Sequence, residues 1–346
     1  MSRFCLFLKI LWVYGEQQKI EMSMGNVSQT SSGQYMPHNK RIANTIRVSA
    51  ALLSIAFIGI KLWQQAGTGI ACGFTAVRLW PMIVAVLLVA VNWGIEAFKW
   101  QLLTTPLQQL SFSEATCSVL TGLAVSMFTP NRIGDFAGRA ISFVHGRRLQ
   151  ASLFAIVGGV AQSVAIALFG VVAFWLHNSL PDELLWIDCH FLPIAVLLSV
   201  LALILTAAFL TIGKWTPAMS GCKWQVVRNI AGASLQLTPR LLATTLLLSA
   251  ARYCVFASQF TAMLAAFGVS MTPADAFCAI AFMYCFVTLI PTFAMAEWGV
   301  RGSMALLFIL PIGGTAAQIV AASIGIWIIN VAIPATIGAI LLINTK

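Results

Sequence analysis

Two apolar runs in this chain stop short of a membrane's thickness and end in a burst of charge. Ala115 to Phe128 is followed at once by Thr129-Pro-Asn-Arg-Ile-Gly-Asp-Phe-Ala-Gly-Arg139. A second short run leads into Ile290-Pro-Thr-Phe-Ala-Met-Ala-Glu-Trp-Gly-Val-Arg301. A spanning helix needs about 20 apolar residues. Charge at a helix centre costs about 2.5–3.5 kcal/mol per residue on insertion scales. Neither stretch can cross lipid as a plain helix, so each must turn back or line a polar interior.

The two stretches echo one another. Ser111-x-x-Glu114-Ala115 opens the first unit and Pro130 follows Glu114 by 16 residues. Thr272-x-x-Asp275-Ala276 opens the second and Pro291 follows Asp275 by 16. A Ser or Thr followed three residues later by an acid resembles a capping box, so each unit begins as a helix. Each runs about four turns and stops at proline, which points to an internal repeat of broken helices.

The remainder of the chain is membrane-like. It is 60% hydrophobic and 9% charged, against about 25% charged in soluble domains. No polar stretch after residue 45 exceeds a loop, which leaves no room for a separate catalytic domain. The net charge of +10 does not imply nucleic acid, because the basic residues sit between apolar segments as the positive-inside rule expects. The eight cysteines are scattered, with no C-x-x-C and no His cluster, so neither a metal site nor a cofactor is expected. Gly122, Gly158, Gly159 and Gly170 suit close helix packing rather than chemistry.

Topology follows from charge. Residues 1–45 are expected to be a disordered or interfacial arm, with Met22, Met24 and Met36 as candidate alternative starts. Residues 46–346 form one transmembrane domain. Full spans are expected at about 48–66, 79–103, 150–176, 191–212, 241–267 and 314–343. Lys40, Arg41 and Arg47, then Arg147 and Arg148, then Lys214, Lys223, Arg228 and Arg240 would face the cytoplasm. Both termini are then cytoplasmic. The expected fold is an all-α polytopic membrane protein of about six full spans plus two re-entrant broken-helix hairpins, 112–147 and 272–312. The repeats, about 79–176 and 241–343, would have opposite orientation, an architecture in which broken helices meet near the midplane. Eight plain spans is the alternative; it would bury Arg132, Asp135 and Arg139 singly in lipid. Glu96 and Lys99 stand three apart and can pair on one face of the second span, or anchor it at the interface with Trp100.

The charged stretches resemble a known family. T-P-N-R-I-G-D-F-A-G-R-A, from Thr129, is similar to the T-P-G-R-x-G-E-x-x-R-A signature of the lysylphosphatidylglycerol synthase transmembrane-region, or flippase-like, family. Ile290-Pro-Thr…Trp298-Gly-Val-Arg-Gly302 resembles its second signature, and the Glu96–Trp100 segment fits a polar, Trp-containing one. The resemblance covers about residues 45–343. Asn131 and Asp135 replace the usual glycine and glutamate, and Gly302 stands where glutamate is usual, with Glu297 five residues earlier. The aminoacyltransferase domain of the best-known members has no counterpart here. The resemblance therefore implies lipid translocation at the cytoplasmic membrane rather than aminoacyl transfer.

A translocase needs a hydrated path whose groups exchange partners. Arg132 and Arg139 are candidates to hold a phosphate, since guanidinium offers a planar fork of donors. Asp135 and Glu297 would pair with them when the path is empty, or take a cationic headgroup or a proton, and Arg301 would serve from the opposite hairpin. Pro130, Gly134, Pro291 and Gly299 would break the helices. The competing role for the same charges is to tie the two hairpins together. No catalytic residue is expected. The expected partners are membrane lipids, not nucleic acid. Two alternatives stand beside translocation: an accessory subunit working with envelope-biosynthesis proteins, and a membrane-embedded lipid-modifying transferase using Asp135 and Glu297.

Overall fold

The computed structural model describes residues 77–127, 129, 133–176, 191–215, 236–289 and 297–344. Among them every regular element is helical. The N-terminal arm and the expected first span, 48–66, lie outside the described residues. The first group of helices is α1 (Leu79–Thr104), α2 (Phe112–Ser126), α3 (Ile133–Ala140) and α4 (Arg148–Leu176). After α5 (Phe191–Leu210) comes the second group: α6 (Pro239–Ala266), α7 (Pro273–Leu289), α8 (Glu297–Ile309) and a last long span. That span joins α9 (Ala316–Trp327) to α10 (Ile333–Asn344) through a π-turn, Ile328–Ala332. Both groups run long, short, short, long.

Five helices are long and apolar enough to cross a membrane: α1, α4, Pro193–Leu210 of α5, α6, and the joined Ala316–Asn344. The chain is an all-α polytopic membrane protein. Leu197, Leu203 and Ile204 of α5 stand outward on a helix with no charged residue, a face suited to lipid.

Local sequence sets the helix ends. Ser111 Oγ accepts from the Glu114 N–H at 3.2 Å while Glu114 Oε2 accepts from the Ser111 N–H at 2.7 Å, a complete capping box at the start of α2. Thr272 Oγ1 accepts from the Asp275 N–H at 3.2 Å and donates to Asp275 Oδ2 at 2.6 Å, so the second unit opens on the same residue types. At the end of α6 the chain turns out through Gly268, whose φ of 85° excludes most side chains. Gly268 N–H donates to Ala265 O at 3.1 Å and Val269 N–H to Leu264 O at 3.0 Å, a Schellman stop.

Packing between the two groups is reciprocal. α1 lies along α6. α2, the first short helix of one group, packs on α10, which ends the other; α7 packs in the same way on α4. Glycine makes each crossing close. A Cβ at Gly338 of α10 would fall inside the Leu120 carbonyl of α2, and one at Gly170 of α4 would meet Cys285 Sγ of α7. Gly122 and Gly170 thus serve packing, as their setting in sequence suggests.

Candidate functional site

The buried faces of α1, α3 and α6 bring five charges together. α1 presents Asn92, Glu96 and Lys99 at helical spacing on its buried side. α3 supplies Asp135 and Arg139, one turn apart, and α6 supplies Arg252. Arg252 lies 13 residues from Pro239 and 14 from Ala266, about 20 Å from either end at 1.5 Å per residue. Glu96 lies eight residues from the end of α1, about 12 Å in. The cluster is therefore deep.

Glu96 is its hub. Oε1 accepts from Arg139 Nη1 at 2.8 Å. Oε2 lies 2.7 Å from Lys99 Nζ and 3.0 Å from Arg252 Nη1, ionic contacts set off the hydrogen-bond direction. Asp135 holds Arg139 with both oxygens, Oδ1 to Nε at 2.9 Å and Oδ2 to Nη2 at 2.8 Å. Among the described residues three cations (Lys99, Arg139, Arg252) thus face two carboxylates (Glu96, Asp135), a sum of +1 over these five. Lys99 is 2% exposed and Glu96 3%, whereas the Arg252 side chain keeps 22%. Arg252 is the open edge of the cluster.

Two tryptophans of α1 frame the arginines. Arg139 Cζ lies 5.5 Å from the Trp100 ring centroid and Arg252 Cζ 5.5 Å from that of Trp93. Trp100 Nε1 donates to Ser118 Oγ at 2.9 Å, and that hydroxyl donates to the Arg139 carbonyl at 2.9 Å. The short helix α3 is thereby fixed to α1 through α2. Glycine lets it approach: a Cβ at Gly138 would lie 2.7 Å from Gly122 Cα, and one at Gly122 would lie 2.5 Å from Asp135 Oδ1.

A neutral relay leaves the cluster toward the last span. Arg252 Nε donates to Asn92 Oδ1 at 2.9 Å, and Asn92 Nδ2 donates to Asn330 Oδ1 at 2.9 Å. Asn330 belongs to the π-turn Ile328–Ala332. Such turns are rare and recur at functional sites. Two buried indole N–H groups, of Trp93 on α1 and Trp327 at the end of α9, have no acceptor. An unmet buried donor costs about 1–3 kcal/mol.

The sequence-predicted residues are distributed as follows. Asp135 and Arg139 are in the cluster. Gly134 lies in the first turn of α3, where its N–H donates to Thr129 Oγ1 at 2.7 Å and a Cβ would lie 2.7 Å from the Val125 carbonyl oxygen. Glu297 opens α8 and Gly299 follows in its first turn. Arg301 sits over Tyr284 of α7, Cζ 5.8 Å from the ring centroid, and Tyr284 meets Phe256 of α6 edge-on at 4.9 Å. Pro130, Arg132 and Pro291 lie outside the described residues. Sequence reasoning passed over Arg252, Asn92 and Asn330, although a lone arginine midway along an apolar 28-residue helix is itself a signal. Glu96 and Lys99 form a deep ion pair rather than an interfacial anchor. Outside the spans, the Ser111 backbone N–H, helped by its hydroxyl, holds the Glu114 carboxyl below its ordinary range.

The profile of the lysylphosphatidylglycerol synthase TM region matches residues 45–338, most of the chain. No curated protein matches the chain. The chain belongs to the lysylphosphatidylglycerol synthase TM-region family, and is a multi-pass membrane protein of a lipid-related pathway.

Proposed function

We propose that this family member translocates a lipid with a phosphate-bearing headgroup across the cytoplasmic membrane, and that it is not an enzyme. The observation that carries the reading is the deep cluster of Glu96, Lys99, Asp135, Arg139 and Arg252, with a positive excess and a partly open arginine. A static helix brace has no need of three arginine or lysine heads at that depth. A path for a headgroup needs cations whose present partners can be exchanged for phosphate oxygens.

In this mechanism Arg139 and Arg252 leave Glu96 and Asp135 for the phosphate as it enters, and return when it departs. Arg132 also meets the headgroup, and Arg301, with Glu297, does so from the α7–α8 side. The two hairpins are re-entrant and belong to repeats of opposite orientation, with both chain termini in the cytoplasm; the equal motif spacing and the reciprocal packing of α2 on α10 and α7 on α4 support this. No cofactor takes part. Membrane lipids are the partners and nucleic acid is not.

The test is transbilayer movement of headgroup-labelled phospholipids in proteoliposomes. Arg139→Gln and Asp135→Asn should slow it at least about tenfold, the effect of losing one charge-assisted hydrogen bond of about 1.5–3 kcal/mol. Rates within twofold of the parent protein, with the fold retained, would remove these residues from the mechanism.

A further inference from the structure

The last span is continuous in sequence but divided in its packing. Its first half, α9, packs on α6 and α8, whereas its second half, α10, packs on α2. The π-turn Ile328–Ala332 lies between them. Pro334 follows in the first turn of α10 and has no N–H for the Asn330 carbonyl four residues back. A π-turn beside a proline is a place where a helix bends. The bend thus falls where the span changes partners.

Beyond the bend the contacts are tight. A Cβ at Gly338 would fall inside the Leu120 carbonyl of α2, and Ala339 is buried with Ala124. α2 in turn carries α3, with Gly138 against Gly122. α10, α2 and α3 therefore make one body, which meets α1 and α4. Arg139 of this body is tied to Glu96 of α1. A further tie acts at the bend itself: Asn92 Nδ2 donates to Asn330 Oδ1 at 2.9 Å, with both side chains buried. A guanidinium can only donate, so the bond from Arg252 Nε fixes Asn92 Oδ1 as its acceptor and turns Asn92 Nδ2 toward Asn330. The same arginine contacts Glu96. Arg252 thus touches both the carboxylate hub and the side chain that holds the bend.

We infer that Asn330 is a positioning residue: its hydrogen bond from Asn92 latches a hinge at the π-turn, about which α10 and the α2–α3 hairpin swing as one body and part Arg139 from Glu96. The inference deepens the translocation reading and rests on it only for what the swing admits, a lipid phosphate. While Arg252 holds Asn92, the latch is closed. A phosphate that draws Arg252 away releases Asn92 and, through it, Asn330; the swing then frees Arg139 for the same headgroup.

The experiment is pulsed EPR on the full chain in detergent, with pairs of spin labels in a cysteine-free background. Leu247 on α6 is the reference, Ile340 reports on α10 and Phe112 on the start of α2; all three side chains are exposed. Asn330→Leu removes the latch. Ile340 lies ten residues beyond Asn330, about 15 Å along the helix, so a change of about 20° in the bend moves it by about 5 Å. The Leu247–Ile340 and Leu247–Phe112 distances should both shift or broaden by about that amount, while Phe112–Ile340 stays as in the parent protein. Asn92→Leu removes the same bond from the other side and should give the same three results. Unchanged distances in the folded variants would overturn the inference. So would movement of Ile340 without Phe112, which is what a merely local loosening of the last span produces. Movement of headgroup-labelled phospholipid in proteoliposomes separates the two readings. Distances that respond as expected in a protein that moves no lipid would sink translocation and keep the hinge; lipid movement by the parent protein, with distances indifferent to both variants, would do the reverse.

Discussion

Glu96→Gln is the substitution that tests most of the cluster at once. The change is isosteric and leaves a polar group in place, but it removes the counter-charge shared by Lys99, Arg139 and Arg252 at 2.7, 2.8 and 3.0 Å. The five-residue sum rises from +1 to +2. Each ionic pair at about 4 Å between charge centres is worth roughly 4 kcal/mol at an effective dielectric near 20. The gross attraction of three such pairs is offset by repulsion among the cations and by several kcal/mol for desolvating the carboxylate. Breaking a buried pair from one side leaves a net loss of about 3–5 kcal/mol. An unfolding entropy of about 2.1 cal/mol/K per residue gives roughly 0.7 kcal/mol/K for 346 residues. The melting temperature should then fall by about 4–7 °C.

The assay is scanning fluorimetry of the purified protein in detergent, run on a double-mutant cycle. Glu96→Gln with Arg252→Gln returns the sum to +1. The pair should therefore be less damaging than the two single changes added, by about 1–3 kcal/mol. A fall of under about 1 °C for Glu96→Gln, or additivity within about 0.5 kcal/mol, would refute the view that these charges act as one coupled unit.

Three further outcomes are expected. Gly338→Ala places a methyl in the Leu120 carbonyl and should destabilise by about 1–3 kcal/mol or more, whereas Gly170→Ala meets only the Cys285 thiol and should be milder in the same melting assay; the reverse order would show that the α2–α10 crossing is not the tighter one. The Glu114 carboxyl is lowered by the Ser111 N–H, so its contribution is present above the unfolded value of about 4.3 and is lost as pH falls through the folded value. The melting gap between the parent protein and Glu114→Gln should therefore close on acidification, and a gap unchanged at low pH would contradict the capping box. In a cysteine-free background, an impermeant maleimide should label Asn131→Cys only from the cytoplasm and Trp298→Cys only from outside; labelling of both from one side would end the inverted arrangement of hairpins.

Much of the helical plan was legible because membrane segments announce themselves by length. The expected spans at 79–103, 150–176, 191–212, 241–267 and 314–343 fall on α1, α4, α5, α6 and the joined α9–α10 within a few residues. The starts of α2 and α7 were legible for a different reason: a Ser or Thr with an acid three residues on has one local use. The π-turn was not read from the sequence, although Pro334 marks it: proline lacks the N–H that would bond the Asn330 carbonyl four residues back, and its ring crowds that carbonyl. Part of the site was legible in the same sense. Asp135 and Arg139, one turn apart on a short helix, were expected to pair and do so. Arg252 was invisible to motif reading because it belongs to no burst. Its partner Glu96 lies 156 residues away, and only the packing of α1 along α6 joins them.

That packing also separates the two hairpins chemically. Arg139 and Arg301 each stand four residues after an acid in the two charged stretches. Arg139 is held by two carboxylates, one from its own helix and one from α1. Arg301 rests on the face of Tyr284, whose ring abuts Phe256 one turn beyond Arg252. At the place in α6 that corresponds to Glu96 in α1, the repeat has Ala257. Duplication alone would have produced two equivalent carboxylate hubs; the described part of the second group carries an aromatic surface where the first carries a charge.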